Sequence, residues 1–471
     1  MSDVPFGFGP PDRDPERRDQ PGSGDPFGFG ALFGFGGPGG AGGGSPEDLL
    51  GKMPLFAELQ KLMNWSGGPV NWDLARQGAI SSLATGTQPT SEAERGAVAE
   101  ALRLADLWLD QVTDLPSGAD RPLAWSRVEW IEQTLPAWSA LIDPLAEKVV
   151  AAMTAALPQE AMAMAGPLAG IMGQMGGLMF GAQVGQALGR LAGEVVTGTE
   201  VGLPLAPAGS AVLVPQNVAS FAEGLDRPDD EVRLFLALRE AASLRLFAHV
   251  PWLRQQLHDA VHAYARGITI DREAIERGLT DAMGSMEGGF DPSNPEAIQE
   301  LLGSGLLEPE ETPEQQMALR RLETLLALVE GWIDAVVAAA AGERLPGHGA
   351  LAETMRRRRA SGGPAEQTFA TLVGLQLRPR RLRDAATVWG AMAQRYGTAE
   401  RDRLWSHPDL LPTSDDLDEP MDFVARQGVD DELRALSAEA EDAGTGESTD
   451  EPAAEGTDGG TTPPDDATPA S

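Results

Sequence analysis

Between Ala161 and Gly189 the chain reads "AMAMAGPLAGIMGQMGGLMFGAQVGQALG", a stretch without one charged residue. Within and just beyond it, Gly177, Gly181, Gly185, Gly189 and Gly193 recur at every fourth position. Residues four apart lie on one face of an α-helix, so these glycines form a row that lacks side chains. Such a face is used by letting a second helix come almost to backbone contact. The length would suit a membrane span. Against a span, Gly and Ala keep the hydropathy low, Gln174, Gln183 and Gln186 recur, and the row continues through the charged stretch of Arg190 and Glu194. The expected setting is a soluble helical core, and membrane association through 161–189 is the least favoured reading.

The rest of the chain follows the same helical period. "SPEDLLGKMPLFAELQKLM" opens on Ser45 as N-cap with Pro46 behind it. Residues 90–112 form an amphipathic helix, and 125–157 continue at helical spacing with breaks expected at Pro136 and Pro144. A short strand is expected over Ala211–Val214, ended by Pro215, and Asp226 is expected to open the next helix. After an irregular acidic stretch, 271–314, a long helix runs over about 314–341 with Leu322, Leu325, Leu326, Val329, Ile333 and Val336 on its apolar face.

Both ends differ from this middle. Residues 1–46 repeat "PFGFG" at 5–9 and 26–30. Glycine at that density opposes a fixed fold, so the segment reads as a flexible leader, with the phenylalanines as contacts for a partner or for self-association under the alternative reading. Residues 428–471 are acidic and rich in Thr, Gly and Pro, and are expected to be disordered. The formal net charge of the 471 residues is −35, which opposes nonspecific binding of nucleic acid. The absence of cysteine excludes disulfides, thiolate zinc sites and cysteine nucleophiles. The mixed-charge start lacks the order of a secretory signal, so the expected location is the cytoplasm. Arginines cluster at 356–359 and 378–383; they read as a solvated face paired with the acidic remainder, with anion binding as the alternative.

One five-residue stretch has the layout of a catalytic motif. "REAAS", 239–243, sits in the apolar helix "LALREAASLRLFAHVPWL". In zinc hydrolases of this layout, two histidines four apart hold the metal, and a glutamate after the first is the general base on the bound water. Here Glu240 keeps the base position, while Arg239 and Ser243 stand at the ligand positions.

The chain resembles the bacterial zinc-dependent metalloprotease or hydrolase family with a zincin-like fold, which is related to proteins associated with deazaflavin-coenzyme biosynthesis. The resemblance is carried by "LVPQNVASF" (213–221), "REAASLRLFAHVPWL" (239–253), "LLALVEGW" (325–332), "RRRRASGGPAEQTFATLVGLQLRPRRLR" (356–383) and "WSHPDLLPT" (405–413). It implies a mainly α fold: a zincin-like helical core with a short β element between disordered tails. The implied organisation is a leader at 1–46, an N-terminal helical region at 47–200, a zincin-like region at 201–427 and a tail at 428–471. It also implies Glu330, in "VEGW", as the third ligand position.

Arginine offers no lone pair to a metal, and a neutral serine is a poor ligand. Glu240 is then a vestigial general base with no metal-bound water to activate. Glu330 and Asp334 would be left as buried carboxylates without a counter-charge, and Arg239 is expected to supply one through an ion pair. The expected protein is a binding or scaffold protein for a protein or peptide partner, without cofactor. The alternative is an active zinc hydrolase with a rearranged ligand set drawn from Glu240, Glu330 and a histidine. A weaker metal candidate is "HDAVH", with His258 and His262 one turn apart; the bland reading is the polar face of an amphipathic helix. His249 is expected as a core or capping residue. No G-x-S-x-G elbow or phosphate-binding loop is present.

Overall fold

The computed structural model describes residues 68–83, 86–155, 166–267, 312–360, 363 and 381–428. The leader, the Ser45 helix, most of the irregular acidic stretch, the arginines at 378 and 380 and the acidic tail fall outside the described residues. Residues up to Pro420 belong to one compact unit. A second unit begins at Met421, and its described part, 421–428, is helical.

The glycine row sets the first packing decision. Helix α1, Trp72–Ser82, is capped by Asn71, whose side chain accepts from the Leu74 amide. It lies along the row of helix α4, Gly166–Glu194. A Cβ at Gly181 would stand 2.6 Å from the Asn71 carbonyl oxygen, and one at Gly185 would stand 2.7 Å from that of Ala75. The backbones are close enough for the Asn71 amide to donate to the Gly177 carbonyl at 3.0 Å.

Helix α2, Glu92–Leu109, starts at a capping box made by Ser91 and Glu94. Strand β1, Arg121–Ala124, follows, then helix α3, Arg127–Ala155. Contrary to expectation, α3 runs through both Pro136 and Pro144. An interior proline costs roughly 3 kcal/mol or more. Here Trp130, Ile131, Trp138, Leu141, Ile142 and Leu145 are all buried, and that packing spans both prolines.

Strand β2, Ser210–Leu213, lies one residue earlier than expected. Val214 turns the chain and Pro215 starts helix α5, Pro215–Ala222, where its missing N–H costs nothing. β2 pairs in parallel with β1, Arg121 opposite Ser210 through Ala124 opposite Leu213. β1 was not anticipated, because "RPLA" is too short for an alternating pattern to register.

The next helix, α6, Asp229–His249, begins later than expected. Asp226 has φ +49°, a left-handed conformation that no helix start can adopt, and Pro228 holds the N-cap. From Phe235 to Phe247 every α6 residue is buried. It is the central helix, packed on α2, β2 and helix α8, Pro313–Ala341. Helix α7, Pro251–Arg266, precedes α8 and also packs on it.

α8 opens at a Thr312–Gln315 capping box with Pro313 in the first turn. Among the described residues it is the helix long and apolar enough to cross a membrane, and 72 % of its apolar window is buried inside the protein. Helices α9, His348–Ala360, α10, Leu382–Tyr396, and α11, Thr398–Arg403, complete the described core. Gly331 lets α8 meet α10, since a Cβ there would lie 2.6 Å from that of Ala385. The described protein is mainly helical with one two-stranded sheet.

Candidate functional site

Arg239 and Ser243, one turn apart on α6, line a cavity with Glu330 of α8. The Arg239 guanidinium reaches across to α8. Its Nη2 donates to Glu330 Oε2 at 2.7 Å, and its Nη1 donates to Asp334 Oδ1 in a short contact. Glu330 and Asp334 are themselves i, i+4 on α8, so one planar cation bridges a pair of carboxylates stacked on one helix face. All three side chains are at least nine-tenths buried. Burial by itself would lower the Arg239 pKa, but Asp334 and Glu330 outweigh it and hold it above its usual value.

The arginine run of α9 adds a second layer. Arg359 also donates to Glu330 Oε2, Arg356 Nη1 stands 3.8 Å from Asp334 Oδ2, and Arg358 Nε stands 3.3 Å from Glu200 Oε1. Arg357 turns outward to Glu353 at 2.9 Å. These arginines therefore do pair with acidic groups, but three of them face the cavity region rather than open solvent. Sequence reasoning gave Arg356 and Arg359 no place in the site. The available signal was their i, i+3 spacing, which puts both on one helix side.

Glu240 lies elsewhere. It is 0 % exposed and points from α6 toward β2 and the 197–199 turn. Its Oε2 accepts from the Thr199 amide at 3.1 Å and the Thr199 hydroxyl at 2.7 Å, and its Oε1 accepts from the Val212 amide at 3.0 Å. Thr197 adds a further hydrogen bond. A carboxylate has about four lone-pair sites, so this one is saturated by the protein. Burial raises its pKa, more than these hydrogen bonds lower it. Gly198 makes room for the arrangement, since a Cβ there would sit 2.9 Å from Glu240 Oε1. The side chain ties the sheet to α6 and offers no free lone pair to a water in the cavity.

The structure thus brings Arg239, Ser243, Glu330 and Asp334 together and sets Glu240 apart from them. His258 and His262 lie on α7, half-buried, with ring centroids 6.3 Å apart and nearly perpendicular. Burial, then His262 and Arg254, depress the His258 pKa. Among the described residues, no group of three or more His, Cys, Asp or Glu side chains is arranged to hold a metal ion. His249 is exposed at the end of α6, not in the core, because the helix ends there at the surface.

The chemistry of the ligand positions decides whether zinc fits. Arg239 presents donors only, and its charge would repel a dication. Glu330 Oε2 is already shared by the guanidiniums of Arg239 and Arg359. Ser243 is a neutral hydroxyl. These residues do not fit a zinc ion.

Arg239 and Ser243 thus lie one turn apart on a central helix and face Glu330 on a second long helix. A family model described as zincin-like metallopeptidase matches residues 70–424, and the chain belongs to that family. In three dimensions it is similar to "a putative hydrolase with a novel fold" from Chloroflexus aurantiacus, with a TM-score of 0.51. The match has 20 % sequence identity and covers 76 % of this chain and 99 % of the other, a likeness of fold. Comparison with the curated proteins gives no match.

Proposed function

We propose that this member of the zincin-like metallopeptidase family works as a binding or scaffold protein, without a functional zinc site. The reading rests on one observation: Arg239, at the first ligand position, is held between Glu330 and Asp334. A permanent cation at that point balances the carboxylates that a dication would otherwise balance. Two further arginines, Arg356 and Arg359, reinforce the balance from α9. A buried general base without open lone pairs agrees with the loss of hydrolysis. The partner, on this reading, is a protein or peptide that occupies the inherited groove in the cytoplasm.

The test is a broad peptidase and esterase screen of the full chain, with and without added zinc, beside Glu240→Gln. No turnover above background is expected in any arm. Zinc-dependent turnover that Glu240→Gln abolishes would reinstate the active hydrolase with a rearranged ligand set.

A further inference from the structure

One wall of the Arg239–Ser243 cavity differs from the others. α6, α8 and the 196–200 stretch supply most of the lining, and α9 supplies Met355 and Arg359. α9 is anchored through its middle, where Leu351 and Met355 are buried. Its last turn reads "RRRR", 356–359, and has no aliphatic or aromatic residue to bury.

Charge holds that turn down. Arg359 donates to Glu330 Oε2, Arg358 Nε stands 3.3 Å from Glu200 Oε1, and Arg358 Nη2 donates to the Glu194 carbonyl. The Arg358 guanidinium also lies 5.7 Å from the Phe221 ring centroid. Glu330 and Glu200 are 5 % and 6 % exposed, whereas Arg359 and Arg358 are 18 % and 23 % exposed. Water therefore reaches this seam from the arginine side. Two features oppose the closed arrangement. Arg356 and Arg359 are i, i+3 on one helix side, where like charges repel. Arg359 Nε is buried without an acceptor, a donor that water would satisfy once the side chain left. The last turn of a helix is also the part that opens most easily, because its final carbonyls lack partners within the helix.

We propose that the last turn of α9 is a charge-held gate over the cavity. Arg358 and Arg359 release Glu200 and Glu330, the turn frays, and Ser243 and Arg239 come within reach of solvent while the rest of the fold stays shut. The inference rests on the binding reading only for what then enters. The opening itself is measured without a ligand, so either can fail alone.

The chain has no cysteine, so Ser243→Cys gives the full-length protein a single thiol in the cavity. Its rate of alkylation by iodoacetamide, with a chelator present, reports the gate. Ala242→Cys, at a fully buried position outside the cavity lining, reports global unfolding in the same way. Each rate is normalised to that of the same variant in denaturant. Ser243→Cys is expected to react about tenfold faster than Ala242→Cys, or more, because local opening suffices for it. Adding Arg358→Gln and Arg359→Gln is expected to speed the first about tenfold further and to leave the second unchanged. Glu200→Gln, which removes one partner of the turn, serves if that double substitution does not fold, with a several-fold acceleration expected. Equal rates at the two positions would mean that only unfolding exposes the cavity, and would overturn the proposal. So would a Ser243→Cys rate that neither set of substitutions raises, or a rise that Ala242→Cys shares in full.

Discussion

Arg239 and Arg245 sit on the same helix, six positions apart, both buried among apolar residues, and they do different things. Arg245 is bonded mainly to the end of another element. It donates to the backbone carbonyls of Leu115 at 2.7 Å and Asp106 at 3.0 Å, and to the carboxylates of Asp106 at 3.0 Å and Asp110 at 2.6 Å. Those groups belong to the last turn of α2 and the loop after it, where the negative end of the helix dipole favours a cation. Arg245 is a strut that fixes α2 on α6. Among the described residues Arg239 has no backbone acceptor; it meets two carboxylates beside a cavity. Its neighbour Glu240 belongs with Arg245, since it too serves to join elements. Adjacency in sequence grouped the wrong pair: Arg239 and Glu240 look like one motif, yet helix geometry sends them to different faces.

The comparison can be broken by substitution. Arg245→Met is expected to be the most damaging, about 3–5 kcal/mol, because it removes at once four hydrogen bonds from a buried cation that join α2 and its loop to α6. Chemical denaturation measures it. Arg239→Met is expected to cost less, about 2–3 kcal/mol, because Arg356 and Arg359 remain against Asp334 and Glu330. A loss equal to that of Arg245→Met would mean that Arg239 is a strut as well. Gly185→Leu supplies a scale without charge: overpacking against Ala75 is expected to cost roughly 1–3 kcal/mol. An unchanged melting temperature would contradict the close α1–α4 approach.

The smallest effect concerns pH. Burial, His262 and Arg254 make protonation of His258 harder in the folded protein than in the unfolded chain. The unfolded chain then binds more protons, so stability is full above the ordinary histidine value of about 6.5 and falls as pH drops below it. His258→Gln is expected to flatten that slope below about pH 6.5 in denaturation midpoints. An unaltered slope would assign the dependence to other groups.

Much of this fold could be read from residue spacing. The glycine row announced a close helix pair, and the Leu322 to Val336 stripe announced the long helix. The charge at Arg239 could be matched with Glu330 and Asp334 because both carboxylates fall on one side of that helix. Other features had no such signal. β1 is four residues long and carries a proline, so only its partner strand reveals it. The prolines of α3 look like breaks until the packing of Trp130 and Trp138 is known. Glu240 looked like a base because its position in the motif is fixed by sequence, whereas its donors come from Thr199 and Val212, far along the chain. Arg245 was passed over because nothing local distinguishes a strut from a surface arginine.

The central claim is that a guanidinium holds the place of a metal. Zinc content is the most direct measurement: the chain is purified without added metal, then titrated with zinc, beside Glu330→Ala. Well under one zinc per chain is expected, without saturable binding at the cavity and with no difference between the two proteins. One tightly bound zinc per chain, lost in Glu330→Ala, would contradict the account.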